Sequence, residues 1–301
     1  MNTTKGAIET MDSSNNRTID IASKEFWIQA WNDTLAGTPI KVHSGYATPR
    51  FWDNAAKDYD NGSDEKRDRE TVALIGLLRD RGVTIDGARV LDIGCGTGRL
   101  AVAFAGEGAD VTATDFSAAM LAELEKKLDV SLKGAVHPLQ VDWETVDLDA
   151  MGWVKAFDLV IAHMTPAVRR PEAFLRMIEA SRSFCMLKGW AGRRDKEVLS
   201  KLWKDVMGEP MRDRTPDVIF EFNLLYAMGY YPDMRIEEIC HERHTTVGDA
   251  VTRYCDYFHG VSERPRNEIE AAIRPRLEKL ASDGVIREKT VGRTGMMIWK
   301  V

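Results

Sequence analysis

Apolar positions fall into short blocks between residues 89 and 187, and the blocks alternate with longer amphipathic stretches. Arg89–Ile93, Asp110–Thr114, His137–Val141, Phe157–Ala162 and Phe184–Leu187 read as strands. Helical spacing follows at Arg99–Gly106, at Ser117–Lys127 with Ser117 as N-cap, and at Pro171–Ala180. Strands alternating with helices imply a parallel sheet covered on both faces.

On either side of this block the pattern changes. From Ala22 to about Arg81 it is helical, interrupted by the breaker-rich AGTPIKVHSGYATP. Trp27 and Trp31 share one helical face there, and Val72, Ile75, Leu77 and Leu78 mark a later amphipathic helix. Towards the C-terminus, Thr215 reads as a cap, Pro216 as a first turn and Gly229 as a stop. A sixth strand is expected at Met234–Ile239 and a seventh at GMMIWKV. Between them a helical insertion at about 248–288 carries Ile269, Ile273, Leu277 and Leu280, with Pro275 expected to kink or split it. The resulting expectation is an α/β fold. It has a polar, mobile leader at 1–20, a helical cap at 21–85 and a sheet domain at 86–301.

Composition narrows the function classes. The chain has 301 residues, 44% hydrophobic and 29% charged, within the ordinary globular range. A formal net charge of -6 disfavours a nucleic-acid partner. No apolar run approaches the roughly 20 residues that span a bilayer, and the N-terminus lacks a signal-peptide core, so a cytoplasmic protein is expected. The four cysteines show no metal-ligand spacing. His241 and His244 lie in a strand-like stretch that points them to opposite faces, and no metal is expected.

The most informative stretch is ARVLDIGCGTGRLAVAF. Gly94, Gly96 and Gly98 follow a strand and open a helix, the arrangement that aims a helix N-terminus at a ligand. The spacing is G-x-G-x-G, and Arg99 stands where a dinucleotide fingerprint needs Gly or Ala. Asp92 would repel a pyrophosphate and suits a ligand with a positive amino group.

VLDIGCGTG resembles the first motif of class I S-adenosylmethionine-dependent methyltransferases, and TATDFSAAML resembles their D-x-S-x-x-M pattern. The resemblance is dense over about Ala88–Pro166. It implies a Rossmann-like, seven-stranded, mostly parallel sheet and S-adenosylmethionine as cofactor, leaving S-adenosylhomocysteine as product. It places Asp115 on the ribose hydroxyls, Phe116 and Met120 against the adenine, and Asp142 on the adenine amine. The Trp143 backbone N–H would meet a ring nitrogen, and His163 would lie beside the sulfonium as the candidate base. A W-x-x-x-A-x-x-Y theme nominates Trp52 and Tyr59 as part of a segment closing over the cofactor.

The acceptor is less defined. The fourth strand ends in His163-Met164-Thr165-Pro166, without the Asn/Asp-Pro-Pro-aromatic run of amino-methylating enzymes. The helical cap and the insertion, with Trp27, Trp31, Trp190 and Tyr254, are expected to enclose a small-molecule acceptor. An RNA or protein methyltransferase and a non-catalytic cofactor-binding module are the alternatives.

Overall fold

Short blocks rich in Val, Leu and Ile bury both sides of the central strands, so a sheet built from them must be sandwiched between helices. The computed structural model describes residues 20–37, 49–60, 64–192, 194–211, 217–262 and 264–301. The expected leader lies almost wholly outside the described residues, as do Thr215, Pro216 and most of the breaker-rich loop.

Strands β1 (Arg89–Ile93), β2 (Asp110–Asp115), β3 (Val136–Gln140), β4 (Phe157–His163) and β5 (Ser181–Trp190) pair in parallel in the order β3-β2-β1-β4-β5. Antiparallel β8 (Val285–Lys300) joins β5. The two-residue β6 (Asp195–Lys196) and the long β7 (Asp233–Thr246) both pair with β8. The sheet therefore has eight strands rather than seven, the extra one being β6.

Side-chain alternation sends Leu91, Val160, Cys185 and Met297 to one face and Val90, Leu159, Met186 and Met296 to the other. The first face is covered by α1 (Lys24–Ala36), α7 (Pro171–Ala180) and α9 (Val218–Ala227). The second is covered by α3 (Asp64–Asp80), α4 (Arg99–Gly106) and α5 (Ala118–Lys127). Short α2 (Pro49–Ala55) packs on α5, and α6 (Leu148–Met151) precedes β4.

The expected cap is thus divided. Helix α1 is capped by Ser23 and drives Trp31, 0% exposed, between Phe174 of α7 and Phe220 of α9. It belongs to the flank of the sheet, because an indole of that size gains more from a closed apolar core than from a solvent-facing lid. On α3 the buried positions are Leu74, Ile75 and Leu78, and Val72 is exposed. Helix α9 is capped by Asp217, whose carboxylate accepts the Ile219 N–H, two residues later than the expected Thr215.

A third core lies beyond the sheet proper. Only residues 294–300 of β8 pair with β5, so residues 285–293 continue past the carboxyl ends of the parallel strands. Strand β7 follows β8 along this extension. Helices α8 (Glu197–Met207), α10 (Val247–Val261) and α11 (Arg266–Leu280) pack on it around Trp203, Phe258, Ile273 and Ile286. Tyr254, expected in a pocket, is buried in this core. The helical insertion breaks between Val261 and Arg266, and Pro275 sits inside α11. Among the described residues no helix is long and apolar enough to cross a membrane, and no cluster of His, Cys, Asp or Glu is placed to hold a metal ion.

Candidate active site

Strand β1 ends in a turn that only glycine makes easily. Gly94, Gly96 and Gly98 have φ of 64°, 57° and 78°. A Cβ on Gly94 would lie 2.0 Å from the Thr165 Oγ1, so the β1 turn and the loop after β4 approach backbone to side chain. The Cys95 N–H donates to the Thr114 carbonyl at 2.9 Å, fixing the turn to β2. A cavity of about 450 Å³ opens above this turn at the carboxyl ends of β1, β2 and β4.

Asp115 closes β2 and organises the cavity floor. Its two oxygens accept the Gly96 and Ser117 N–H groups, each at 2.9 Å. Burial raises its pKa above the usual carboxylate value, although the backbone donors of Ser117, Gly96 and Phe116 oppose this. Asp92 is 1% exposed, lines the cavity, and has an Oδ2 without a hydrogen-bond partner among the described residues. Burial first, then the Asp115 charge, pushes Asp92 up to about 7. A buried carboxyl with a free oxygen is complementary to a cation arriving in the cavity.

Of the residues nominated from sequence, Trp52, Tyr59, Asp92, Gly94, Gly96, Asp115, Phe116, Met120, Asp142, Trp143 and His163 line this one cavity. Gly98 does not. A Cβ there would stand 2.1 Å from Leu124 Cδ1, so Gly98 admits the α5 side chain beneath the turn. Trp27 and Trp31 are also absent from the lining; the Trp27 indole donates to the Ile21 carbonyl at 2.9 Å. Trp190 instead stacks under the Arg194 guanidinium, 4.4 Å from its ring centre.

The expected role of His163 as a base needs correcting. Burial, followed by the Lys188 and Arg99 charges, pushes it down to about 3. Such an imidazole is neutral at pH 7 but holds a removed proton too weakly for efficient base catalysis. The next residue, Met164, has φ of 53°, a left-handed conformation unfavourable for a side chain, held by its N–H on the Lys188 carbonyl at 2.7 Å.

Several lining residues carried no motif. Asp60 bonds Lys127 at 2.6 Å, and Lys127 also donates to the Thr97 carbonyl at 2.8 Å, pinning the segment after α2 to the glycine turn. Arg67 of α3 pairs with Asp60 at 3.5 Å. Arg99 donates to the Arg67 carbonyl and the Thr71 hydroxyl. The Tyr59 ring lies 3.8 Å from where a Gly96 Cβ would be and packs edge-on against Trp52. Of Asp60, Arg67, Thr97 and Arg99, only Arg99 had a sequence signal, as the residue closing the glycine motif.

A family model described as a methyltransferase domain matches residues 90–183. This stretch is similar to a methyltransferase domain. It contains the glycine turn, Asp115, Asp142 and His163, so the cavity floor and the β4 wall lie within the matched residues. Among curated proteins, the chain is 29% identical over 138 residues to magnesium-protoporphyrin O-methyltransferase of Rhodobacter capsulatus, covering 43% of this chain and 60% of that protein. It is 36% identical over 110 residues to malonyl-[acyl-carrier protein] O-methyltransferase of Enterobacter lignolyticus, covering 36% of this chain and 38% of that protein. The chain thus spans less than two thirds of the length of these relatives. A solved magnesium protoporphyrin IX methyltransferase from Synechocystis PCC 6803, with bound S-adenosylhomocysteine, is 17% identical, with a TM-score of 0.43 over 70% of this chain and 92% of that one.

Proposed function

We propose that the chain is a class I methyltransferase that uses S-adenosylmethionine to methylate a small-molecule acceptor. The observation that carries the proposal is the pairing of Asp92 and Asp115 in one cavity. The first is a buried carboxyl with a free oxygen, and the second is a strand-end carboxyl anchored by backbone donors. These residues fit the cofactor, which carries an ammonium group and a ribose diol. When bound, it supplies a methyl carbon already attached to its own leaving group.

The chain's own residues then hold, shield and align. Asp92 compensates the ammonium charge. Asp115 accepts from the ribose hydroxyls while its backbone donors keep it in position. Phe116 and Met120 pack on the adenine, Asp142 accepts from its amine and the Trp143 backbone N–H meets its ring. Trp52 and Tyr59 cover the glycine turn and exclude water. His163 forms a neutral wall on the acceptor side. In this reading residues 86–301 form the catalytic domain and residues 21–85 supply cap elements. The enzyme acts in the cytoplasm on a small-molecule partner, without nucleic acid, in keeping with its net charge of -6.

Calorimetric titration tests the proposal. S-adenosylmethionine and S-adenosylhomocysteine are expected to bind in the micromolar range, NADH not to bind, and Asp115→Ala to weaken both sulfur nucleotides at least tenfold. Binding indifferent to Asp115, or no binding, removes the methyltransferase reading.

A further inference from the structure

Where β4 meets β5, a row of side chains runs on from His163, which is the member of the row that lines the cavity. Register pairs His163 with Lys188 and Lys188 with Met296, while Trp190 pairs with Thr294. Paired residues and residues two apart share a face, so His163, Lys188, Trp190 and Thr294 all stand on the α3/α4 side of the sheet. The row climbs from the cavity towards the extension of β8 that carries α8, α10 and α11. Thr294 is 3% exposed, and its hydroxyl has no partner among the described residues. The Lys188 side chain is 19% exposed, and its Nζ is 3.5 Å from Glu237, too long for a strong charge-assisted hydrogen bond. Of the charges acting on His163, Lys188 exerts the largest effect, in keeping with their adjacency.

We propose that this row receives the acceptor, that the acceptor's reacting group is a carboxylate, and that Lys188 is the residue that binds it. The proposal rests on the methyltransferase reading and adds the substrate class.

Two physical arguments support it. A buried hydroxyl without a partner costs stability unless a ligand or water satisfies it, and an ammonium beside a neutral imidazole offers one positive charge to an anion. The second argument concerns protons. Phenols, thiols and ammonium groups must lose a proton before they attack a methyl carbon, since their reference pKa values lie above 8. The titratable groups facing the row are His163, Lys188, Arg99 and Tyr59, with Glu237 opposite Thr294, Arg194 over Trp190, and Asp92 and Asp115 across the cavity. The cations accept no proton, His163 holds one too weakly, and the Tyr59 hydroxyl is pushed up by burial. Glu237 is paired with Lys188, and in the methyltransferase reading Asp92 and Asp115 are taken up by the cofactor's ammonium and ribose. A carboxylate is ionised at neutral pH and needs no base. In the step, a carboxylate oxygen lone pair forms the new C–O bond and the sulfur keeps the electron pair of the broken S–C bond. No proton moves.

The test is a two-stage calorimetric titration of the full chain. The protein is first saturated with S-adenosylhomocysteine, and failure at this stage counts against the methyltransferase reading. The saturated protein is then titrated with benzoate and, separately, with the uncharged isostere benzamide. Benzoate is expected to bind at least tenfold more tightly than benzamide. Lys188→Met is expected to remove that preference and Lys188→Arg to keep it, with S-adenosylhomocysteine affinity changed less than twofold in both. Equal binding of benzoate and benzamide, or a preference that survives Lys188→Met, overturns the carboxylate assignment while leaving the methyltransferase reading intact.

Discussion

The Asp53 carboxylate on α2 accepts a hydrogen bond from the Ser117 hydroxyl at 2.6 Å. The same oxygen lies 3.3 Å from the Ala119 N–H. Asp53 thus adds a second cap to α5, and Ser117 itself accepts the Met120 N–H. Because the Ser117 backbone N–H also holds Asp115, the segment carrying Trp52 and Tyr59 is coupled to the proposed ribose-binding carboxylate. Asp53→Ala should raise the dissociation constant for S-adenosylhomocysteine by about 3- to 10-fold, the equivalent of about 1 kcal/mol. Amide exchange over residues 49–60 should accelerate, while exchange in β1 and β4 stays slow. Unchanged affinity together with unchanged exchange would show that Asp53 is only a surface contact.

Gly98 makes a different prediction, because its constraint is packing. Gly98→Ala must place a methyl group 2.1 Å from Leu124 Cδ1 at a residue whose φ is 78°. Leu124 is 0% exposed, so it has no free space into which to retreat. The cost is expected to be about 2–4 kcal/mol of folding stability, read by urea denaturation. Any Gly98→Ala protein that remains folded should still bind S-adenosylhomocysteine.

The glycine turn also shows what was legible in the sequence. Local chemistry was legible: the strand, the positive-φ turn, Asp115 at a strand end and Ser117 as a cap all follow from neighbours in sequence. Which glycine faces the cavity and which faces Leu124 depends on a helix more than twenty positions away, and no periodicity encodes it. Trp31 and Tyr254 were misjudged for a related reason. Amphipathic helices show which face is apolar but not whether that face meets a ligand or another helix, and here both residues meet helices. The extension of β8 was hidden because Arg287 and Glu288 fall at the end of the stretch read as a helical insertion. In the antiparallel β7–β8 pair, cross-strand ion pairs such as Arg287 with Glu242 carry such residues instead.

His163 gives the stability curve an acid-side slope. Its folded pKa of about 3 lies below the ordinary imidazole value of 6.5. Between these values the unfolded chain binds a proton that the folded chain does not, so stability falls as pH drops from about 6.5 towards 3 and is flat above. His163→Asn should remove this component. The stability lost by the parent protein between pH 7 and pH 5 should exceed that lost by the variant by on the order of 1–2 kcal/mol in urea denaturation. Parallel curves for the two proteins would mean that His163 titrates normally, and the general-base role would again be open to it.

Glu221 on α9 should act with the opposite sign. It is buried, its Oε2 has no partner among the described residues, and burial pushes it up to about 8 from 4.5. The folded chain therefore keeps this carboxyl protonated while the unfolded chain ionises it. Stability is fully present below about 4.5 and is lost as pH rises from there to about 8. Glu221→Gln cannot ionise and keeps the size and polarity of the protonated acid. The variant should match the parent near pH 4.5 and exceed it progressively up to pH 8, by on the order of a few kcal/mol. Urea denaturation of both proteins at pH 5, 6.5 and 8 measures the difference. A constant difference across the three pH values would show that the Glu221 carboxyl reaches solvent or a cation in the folded state.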